Sequence, residues 1–502
     1  MNLDNKFDII VIGSGLGGLV SAAILAKEGL SVLVLEKGKK TGGLLHNFKR
    51  EHTTFNTGMN YIGSLERDGF LEQYFRYLGL MDKLDIKRLD LEAYEEISFS
   101  RDSSTYHYAQ NKSTFIENLS KSFPRYNQEI KDYTNQLWNI SEQFPLLFLN
   151  NYDKIKKGTD YLNGGAWNFI NDLEIDHKLK SVLGATNSLY AGTKEKTPLY
   201  IHALVNRQFI NSAWRFVGGS QQLANVLQEK IEENGGVVLN RNHIVKIKTI
   251  SDEEIHVINS EEQVYRATRV ISNIHPSLTL QMLEDKRIKT AYRKRISELK
   301  NTAGFFNLYL IFKPECFPYL NRNYYHFAND EVWGHEKPNK NWPGFFIFYT
   351  GLDDHNQIHA KNATVLTYLN YSELEKWKTS TKGRRGDEYM AFKEEKAHQL
   401  INLLEDKFPG IRSCIKSYYS ATPLTYEHYV GTPNGSAYGI EKDFNNPYKS
   451  IILPKTQIPN LFFTGQNLNI HGALGVTIGA VLTSSEILGF NYLLDKIRKE
   501  II

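Results

Sequence analysis

The segment Asp8–Lys37, DIIVIGSGLGGLVSAAILAKEGLSVLVLEK, constrains the fold more than any other part of this 502-residue chain. Between Ile9 and Ala26 it holds eighteen residues without a charge. A membrane-spanning helix needs about twenty predominantly apolar residues, and this run is marginal in length and carries four glycines and two serines. A signal peptide begins with basic residues, whereas Asp4 and Asp8 offset the single nearby lysine. The segment is therefore read as part of a folded domain.

The same segment has the order of elements that binds a dinucleotide. Phe7–Ile12 is a short apolar run rich in β-branched residues, which suits a strand buried on both faces of a parallel sheet. A G-x-G-x-x-G turn, residues 13–18, follows it and precedes the predicted helix Leu19–Lys27. A second predicted strand, Ser31–Leu35, ends at Glu36. Strand, turn, helix, strand and acid in this register predict a Rossmann-type site.

Each part of this motif has a physical role. Gly13 permits the tight turn, Gly15 lets a pyrophosphate approach the backbone, and Gly18 lets the helix pack against the strand. The N-terminus of the helix offers free N–H groups to the phosphates. Glu36 can accept hydrogen bonds from ribose hydroxyls, and its charge disfavours a 2′-phosphate.

A second glycine pair favours FAD over NAD as the cofactor. Glu36 is followed by KGKKTGG, which ends at Gly42-Gly43, and then by EHTTFNTGMNYIG, residues 51–63. This order resembles the flavoprotein family that includes amine oxidases, phytoene desaturases and Rab GDP-dissociation inhibitors. Because NAD-only Rossmann domains do not usually carry the second pair, the resemblance predicts FAD.

Three more segments agree with this resemblance: 214–247, 267–279 and 460–489. It places the backbone of Val245 by the adenine and points the N-terminus of the last helix at the flavin ring or the pyrophosphate. Most members of the family carry Gly-Asp where this chain has Gly465-Gln466, so Gln466 offers hydrogen bonds without a charge. The resemblance implies that FAD is bound by Gly13, Ser14, Gly15, Leu16, Gly17, Gly18, Glu36, Lys37, Gly42, Gly43, Gly58, Met59, Asn60, Val245, Gly465, Gln466, Gly475 and Val476.

Two stretches are similar to one branch of the family. FNTGMNYIGSLERDGFLEQYFRYLGL and TPLTYEHYVGTPNGSAYGIEKDF resemble retinol saturases and the plant-type carotenoid cis-trans isomerases. Those relatives typically have the sequence Asp-Thr-Gly-x-His-Tyr, whereas this chain has Asn60 in place of the histidine. Asn60 is therefore expected to position the substrate rather than to protonate it. The candidates for proton transfer to a substrate are Tyr61, His471 and Tyr429.

The resemblance implies an FAD-dependent oxidoreductase acting on C=C bonds of an apolar polyene or isoprenoid lipid. A carotenoid cis-trans isomerase or a phytoene-type desaturase on the same scaffold is the first alternative, and an amine oxidase is a weaker one. A non-catalytic binder of prenylated lipid, of the Rab GDP-dissociation-inhibitor type, is the alternative from another class. An intact Glu36 and the flavin-type C-terminal helix favour the enzyme.

The resemblance also implies an α/β fold of amine-oxidase type. A discontinuous FAD-binding domain with a doubly wound parallel sheet takes residues 1–70, 205–290 and 440–502, and an α+β substrate domain takes 71–204 and 291–439. Within the latter, the sequence predicts strands at 304–312, 344–350 and 363–370 and a helix at 387–408. Residues 135–152 look helical, and the run FPLLFLNNY within them is either core or a patch that lies on a membrane surface.

The charge and the cysteine content limit the partners and the cellular compartment that the sequence predicts. The net charge is +4 with no dense Lys/Arg block, which argues against nucleic acid. Cys316 and Cys414 lie far apart with no metal-ligand or disulfide-framework spacing, so a reducing, cytoplasmic setting is expected, with peripheral membrane contact as an option. His355 and His359 lie in a loop-like stretch, and no metal is expected. Because no second G-x-G-x-x-G is evident, electrons are expected from a separate donor or from transiently bound NAD(P)H.

Overall fold

The structure is a computed structural model that describes residues 6–149 and 162–501. Its strands are β1 (Phe7–Ile12), β2 (Val32–Leu35), β3 (Asn47–Arg50), β4 (Thr53–Asn56), β5 (Ile62–Gly63), β6 (Ile86–Arg88), β7 (Glu95–Phe99), β8 (Thr105–Tyr108), β9 (Ala213–Phe216), β10 (Val237–Leu239), β11 (Ile244–Ser251), β12 (Glu254–Asn259), β13 (Val264–Ser272), β14 (Gly304–Phe312), β15 (Asn323–Phe327), β16 (Phe345–Thr350), β17 (Asn362–Leu369), β18 (Ile415–Ala421) and β19 (Leu461–Phe463). Its helices are α1 (Leu16–Lys27), α2 (Glu72–Tyr77), α3 (Lys112–Ser122), α4 (Asn127–Ser141), α5 (Ala166–Asn171), α6 (His177–Gly184), α7 (Leu199–Asn211), α8 (Gln221–Glu233), α9 (Pro276–Met282), α10 (Thr290–Ser297), α11 (Asp387–Lys407), α12 (Ile411–Cys414), α13 (Pro423–Tyr429), α14 (Pro447–Ser450), α15 (Gly472–Leu488) and α16 (Phe490–Ile501).

The first sheet has the strand order β10-β2-β1-β13-β12-β11, with β19 also paired to β13. The pairs among β10, β2, β1, β13 and β19 are parallel, and β11 and β12 are antiparallel additions at one edge. Alternate residues of β1 enter two different cores: Ile9 and Val11 pack with α1, while Ile10 and Ile12 pack on the opposite face. A strand buried on both faces has little place for polar side chains, which explains the apolar sequence of residues 9–12. Asp8, at the start of the strand, is half-buried and accepts hydrogen bonds from Ser31.

The second sheet has the order β18-β14-β17-β16-β15-β7-β8 and is antiparallel except for the parallel pair β15 and β7. One face packs against α11, through residues such as Phe306 and Phe346. The other face carries Phe305, Ile347 and Tyr349, which line a cavity between this sheet and the first. The predicted strands at 304–312, 344–350 and 363–370 and the helix at 387–408 are present, with ends shifted by no more than one residue.

The aromatic run that begins at Phe144 differs from its prediction. Helix α4 ends at Ser141, and Pro145–Leu147 forms only a single 3₁₀ turn, so the predicted helix does not continue. Leu146, Leu147 and Leu149 are buried, which removes them from any membrane-facing patch. Residues 150–152 of the run lie outside the described residues. Within the described ranges, no helix combines the length and apolar character needed to span a bilayer.

A disulfide joins Cys316 and Cys414, whose Cα atoms are 5.3 Å apart, although the spacing of the two cysteines does not predict it. The register of the second sheet explains the encounter. Cys316 follows β14 and Cys414 precedes β18, and these antiparallel strands pair Phe312 with Ile415. The cysteines therefore do not support a reducing compartment.

Candidate active site

A cavity of about 610 Å³ extends from the carboxyl edge of the first sheet to the inner face of the second. The residues that end or follow β1, β2, β13 and β19 border it, among them Ile12, Glu36, Asn273 and Gly465. Ligands of open α/β sheets bind at this carboxyl edge. The chain order β1-α1-β2 thus places the glycine turn at one end of the cavity, as the sequence predicts.

The glycine turn has no room for side chains. Gly13 has a φ of +91°, which disfavours other residues. A Cβ on Gly15 would lie 2.8 Å from Asn273 Nδ2, and one on Gly17 would lie 2.8 Å from the Cα of Gly465. Such contacts are shorter than side chains tolerate, so each glycine keeps the backbone of the turn accessible from the cavity.

Glu36 holds the turn in place. The backbone N–H and the hydroxyl of Ser14 donate to its Oε2 at 2.9 and 2.6 Å, and the N–H of Gly38 donates to its Oε1 at 2.6 Å. The side chain is 8% exposed and lines the cavity. Because a carboxylate oxygen accepts more than one hydrogen bond, Glu36 can fix the turn and still accept from a ribose hydroxyl.

Most of the residues predicted to bind cofactor surround this cavity. Those that line it are Gly13, Gly15, Leu16, Gly17, Glu36, Lys37, Gly42, Gly43, Gly58, Met59, Asn60, Val245, Gly465, Gln466 and Val476. Ser14, Gly18 and Gly475 lie behind the lining. A Cβ on Gly18 would lie 2.2 Å from the carbonyl oxygen of Gly13, and one on Gly475 would lie 2.4 Å from Ile470 Cγ2. These two glycines therefore allow close packing behind the cavity wall.

Asn273 is a cavity residue that the sequence motifs did not single out. Its Nδ2 donates to the carbonyl oxygen of Gly13 at 3.3 Å, and its side chain also lies beside Gly15, Gly17 and Gly465. It follows directly after β13, where the strand VISN runs into a loop. The sequence signal that could have identified Asn273 is a polar residue directly after a predicted parallel strand.

The cavity fits a flavin dinucleotide. Helices α1 and α15 both begin at its wall, and neither has a side chain that caps its N-terminus. Free N–H groups at two such ends favour a diphosphate. The glycines leave the backbone open to it, and Glu36 is placed for a ribose. These residues suit the cofactor that the sequence predicts.

The opposite end of the cavity is aromatic. Tyr61 lies with its ring centroid 4.5 Å from that of Phe209 and 5.7 Å from that of Tyr349. Phe305 and Tyr438 also line this end. Aromatic walls with few polar groups suit an apolar ligand.

A polar cluster that the sequence did not reveal lies behind Tyr61. Its hydroxyl donates to Glu95 Oε1 at 2.5 Å and lies 3.1 Å from the hydroxyl of Tyr325. Glu95 is fully buried, and this burial raises its pKa to about 8 despite hydrogen bonds from Tyr61 and Tyr325. Burial also raises the pKa of Tyr61, so its hydroxyl stays protonated at neutral pH.

The other two candidates for proton transfer differ from Tyr61. His471 is buried beside Tyr438, with ring centroids 4.7 Å apart, and burial lowers its pKa to about 4. It is therefore neutral at neutral pH and a poor acid. Tyr429 lines the cavity but is 52% exposed, and Lys382 Nζ lies 3.8 Å from its ring centroid. Of the three, Tyr61 alone is a buried hydroxyl backed by a second acid.

The two-sheet fold, the uncapped helices and the cavity between the sheets define a flavin-dependent oxidoreductase. The chain belongs to the family described as flavin containing amine oxidoreductase, whose model matches residues 16–484. FAD is its cofactor, as the sequence predicts, and the predicted two-domain α/β fold is confirmed.

Curated relatives cover nearly the whole chain at low identity. All-trans-retinol 13,14-reductase of Danio rerio is 25% identical over 97% of this chain and 87% of its own length. Prolycopene isomerase 2, chloroplastic, of an Oncidium hybrid cultivar is 25% identical over 97% and 85% respectively. Among solved structures, a putrescine oxidase redesigned for cofactor binding matches with a TM-score of 0.65 at 14% identity, covering 96% of this chain and 99% of the other. That last likeness supports the fold alone.

Proposed function

We propose that this protein saturates a C=C bond of an apolar polyene or isoprenoid lipid. The observation that carries the proposal is the pairing, in one cavity, of a dinucleotide cradle with an aromatic end that holds a buried hydroxyl, Tyr61. The similarity to all-trans-retinol 13,14-reductases supports the substrate class.

The chain's own residues would orient the substrate, exclude water and supply the proton. Reduced FAD supplies the hydride for the C=C bond when it is bound. Phe209, Phe305 and Tyr349 give the polyene an apolar wall and keep water from the reacting carbons. Tyr61 gives a proton to the carbon that does not receive the hydride, and Asn60 beside it positions the substrate.

The site residues and the boundaries of the domains belong to the same proposal. We assign the cavity-lining residues named above to FAD, with Ser14, Gly18 and Gly475 supporting them from behind. The FAD domain would take residues 1–70, 205–290 and 440–502, and the substrate domain 71–204 and 291–439. All strands of the first sheet come from the former set and all strands of the second sheet from the latter. The electron donor would be a separate carrier or transiently bound NAD(P)H.

A carotenoid cis-trans isomerase is the second candidate, favoured by the similarity to prolycopene isomerases. One experiment separates the two. Purified holoprotein is reduced anaerobically and mixed with all-trans-retinol or a cis-carotene, while flavin absorbance is followed and the product is identified by mass spectrometry. Saturation predicts stoichiometric reoxidation of the flavin and a product two hydrogens heavier. Rearranged double bonds with flavin still reduced would favour the isomerase and overturn the proposal.

Tyr61→Phe tests the role of the hydroxyl in the same assay. The variant keeps the ring that packs on Phe209 and loses only the hydroxyl group. A loss of a general acid lowers the rate about 10²- to 10⁴-fold. Tyr426→Phe, which removes another hydroxyl from the cavity lining, is the matched control and is expected to turn over at nearly the rate of the unchanged protein. Equal rates for both variants would remove Tyr61 from the mechanism.

A further inference from the structure

Glu95 occupies an unusual place for a carboxyl group. It lies on β7, the strand next to the edge of the second sheet, between β15 and the edge strand β8, and is 0% exposed. Its backbone is paired with Asn323 and Tyr108. The side chain points toward the cavity wall, where the Tyr61 hydroxyl contacts it. Burying an ionised carboxylate without a counter-charge costs several kcal/mol, so this position favours the neutral acid.

The next residue of the strand shows the ordinary alternative. Successive side chains of a strand alternate between faces, and Glu96 therefore points to the other side of the sheet. There, Lys407 Nζ lies 2.5 Å from its Oε1, and Arg322 and His107 each lie 3.5 Å from its Oε2. Glu96 is a paired carboxylate in a stabilising ion cluster, whereas the contacts of Glu95 among the described residues are with tyrosines.

We propose that Glu95 is the proton reservoir for Tyr61, holding the proton that restores the Tyr61 hydroxyl after each saturation. The inference rests on the proposed function, and it assigns a role to a residue that does not itself touch the substrate. Tyr61 lines the cavity and Glu95 lies directly behind it, so the two oxygens form a short path from the protein interior to the substrate.

Bound reduced FAD would supply a hydride, with its two electrons, to one carbon of the C=C bond, and the Tyr61 oxygen would give a proton to the neighbouring carbon. The Tyr61 oxygen takes the proton of the Glu95 carboxyl across the 2.5 Å contact. After the product leaves, the carboxylate left on Glu95 takes a proton back through the Tyr61 hydroxyl from water that enters the cavity. The Tyr61 hydroxyl donates to an ionised Glu95. A neutral carboxyl is a better donor than a phenol, so protonation of Glu95 reverses this hydrogen bond and leaves the Tyr61 hydroxyl hydrogen free to point toward the cavity.

The surroundings of Glu95 set the direction of its pH dependence. The titratable groups that face it are Tyr61 from the loop before β5, Tyr325 from β15, Tyr349 from β16, Tyr108 from β8 and the neighbouring Tyr94. Burial raises the pKa of each, so all stay neutral near pH 7. Glu95 loses its own proton as the pH rises through about 8, and the relay stops there.

Infrared spectroscopy of the oxidised holoprotein tests the protonation of Glu95 without turnover. The spectrum of the unchanged protein minus that of Glu95→Gln is expected to show the C=O stretch of a carboxylic acid at neutral pH. That band shifts in D₂O and disappears as the pH rises through about 8. Glu96→Gln is the matched control, because it removes an ionised neighbour and yields only carboxylate bands. Carboxylate bands for Glu95 at neutral pH would overturn the proposal.

Single-turnover reduction of a polyene tests the relay itself. The rate for the unchanged protein is expected to fall as pH rises through about 8. Glu95→Gln is expected to react at least about tenfold more slowly, at a rate that does not fall as the pH rises through about 8. Glu95→Asp is expected to regain part of the rate and part of its pH dependence. Glu96→Gln is expected to keep the rate and the pH profile. An unchanged rate and profile in Glu95→Gln would overturn the relay while leaving the proposed function in place.

Two further measurements complete the test. The flavin content and thermal midpoint of Glu95→Gln show whether it folds. If it does not, the infrared pH titration of the unchanged protein and the pH profile of Glu95→Asp decide the proposal in its place. If no polyene reoxidises the reduced flavin of the unchanged protein, the proposed function fails and the relay fails with it. A carboxylic-acid band in the infrared spectrum would then remain only as a property of a buried group.

Discussion

The protonation of Glu95 is expected to make the unfolding free energy of the protein depend on pH. Its carboxyl has an ordinary pKa of 4.5 in the unfolded chain and about 8 in the folded protein. Between these values the unfolded state has released a proton that the folded state still holds. The stability contributed by the protonated group is thus fully present below pH 4.5 and declines until the pH passes about 8. This rise in pKa corresponds to about 5 kcal/mol of unfolding free energy.

The variant Glu95→Gln isolates this contribution because its amide does not titrate. The unfolding free energy of the unchanged protein minus that of Glu95→Gln is expected to fall by about 5 kcal/mol between acidic and alkaline pH. Urea unfolding of the holoprotein in excess FAD, followed by fluorescence at a series of pH values with reversibility checked, measures the difference. A difference that stays constant across the range would refute the argument, since Glu95 would then titrate as in the unfolded chain.

The neighbouring carboxyl supplies a control of opposite sign. Burial opposes ionisation of Glu96, but hydrogen bonds from His107 and Lys407 outweigh it and lower the pKa from 4.5 to about 2. Its stabilisation is present above pH 4.5 and is lost as the pH falls toward 2. In the same experiment, the unfolding free energy of the unchanged protein minus that of Glu96→Gln is therefore expected to rise with pH at the acidic end, by about 3 kcal/mol.

Three more changes test other parts of the structure. Gly15→Val brings a side chain onto the turn, where even a Cβ lies 2.8 Å from an amide nitrogen, so a soluble protein that has lost FAD is expected; Gly479→Ala, which meets nothing within 4 Å, should keep its flavin absorbance. Cys316→Ser together with Cys414→Ser removes the disulfide and should lower the unfolding free energy by about 2–5 kcal/mol; equal urea midpoints would contradict a structural role. His471→Asn should leave the pH profile of turnover unchanged near neutrality, because burial keeps the pKa of the imidazole at about 4; loss of an inflection near pH 6–7 would contradict this.

The elements that the sequence predicts well are those whose local pattern agrees with their surroundings. Phe7–Ile12 and Gly304–Phe312 have the predicted bounds. The first is apolar except for Asp8 and lies between two cores, and the second presents one face to a helix and the other to the cavity. The run at Phe144 shows the limit of this reasoning. Its composition is that of a buried segment, and leucines in an interior loop look the same as leucines in a helix.

Local sequence patterns could not predict the environment of Glu95 or the disulfide, because both depend on contacts between residues that are far apart in the sequence. Glu95 and Tyr61 are 34 positions apart, and Tyr325 is 264 positions from Tyr61. Nothing near Glu95 in the sequence distinguishes it from Glu96, since the face that each occupies depends on the register of β7 within the sheet. The cysteines meet only because β14 and β18 are paired in one register.

The close approach of the glycine turn to Gly465 bears on how the holoprotein is made. A Cβ on Gly17 would lie 2.8 Å from Gly465, and the hydroxyls of Ser21 and Thr464, 443 positions apart, lie 3.4 Å from each other. At a synthesis rate of about 5–20 residues per second, the ribosome delivers these two groups roughly 20–90 s apart. During that interval α1 lacks the helix α15 that covers it. Because both helices begin at the cavity wall, we expect FAD to bind only after the last part of the polypeptide has been synthesised.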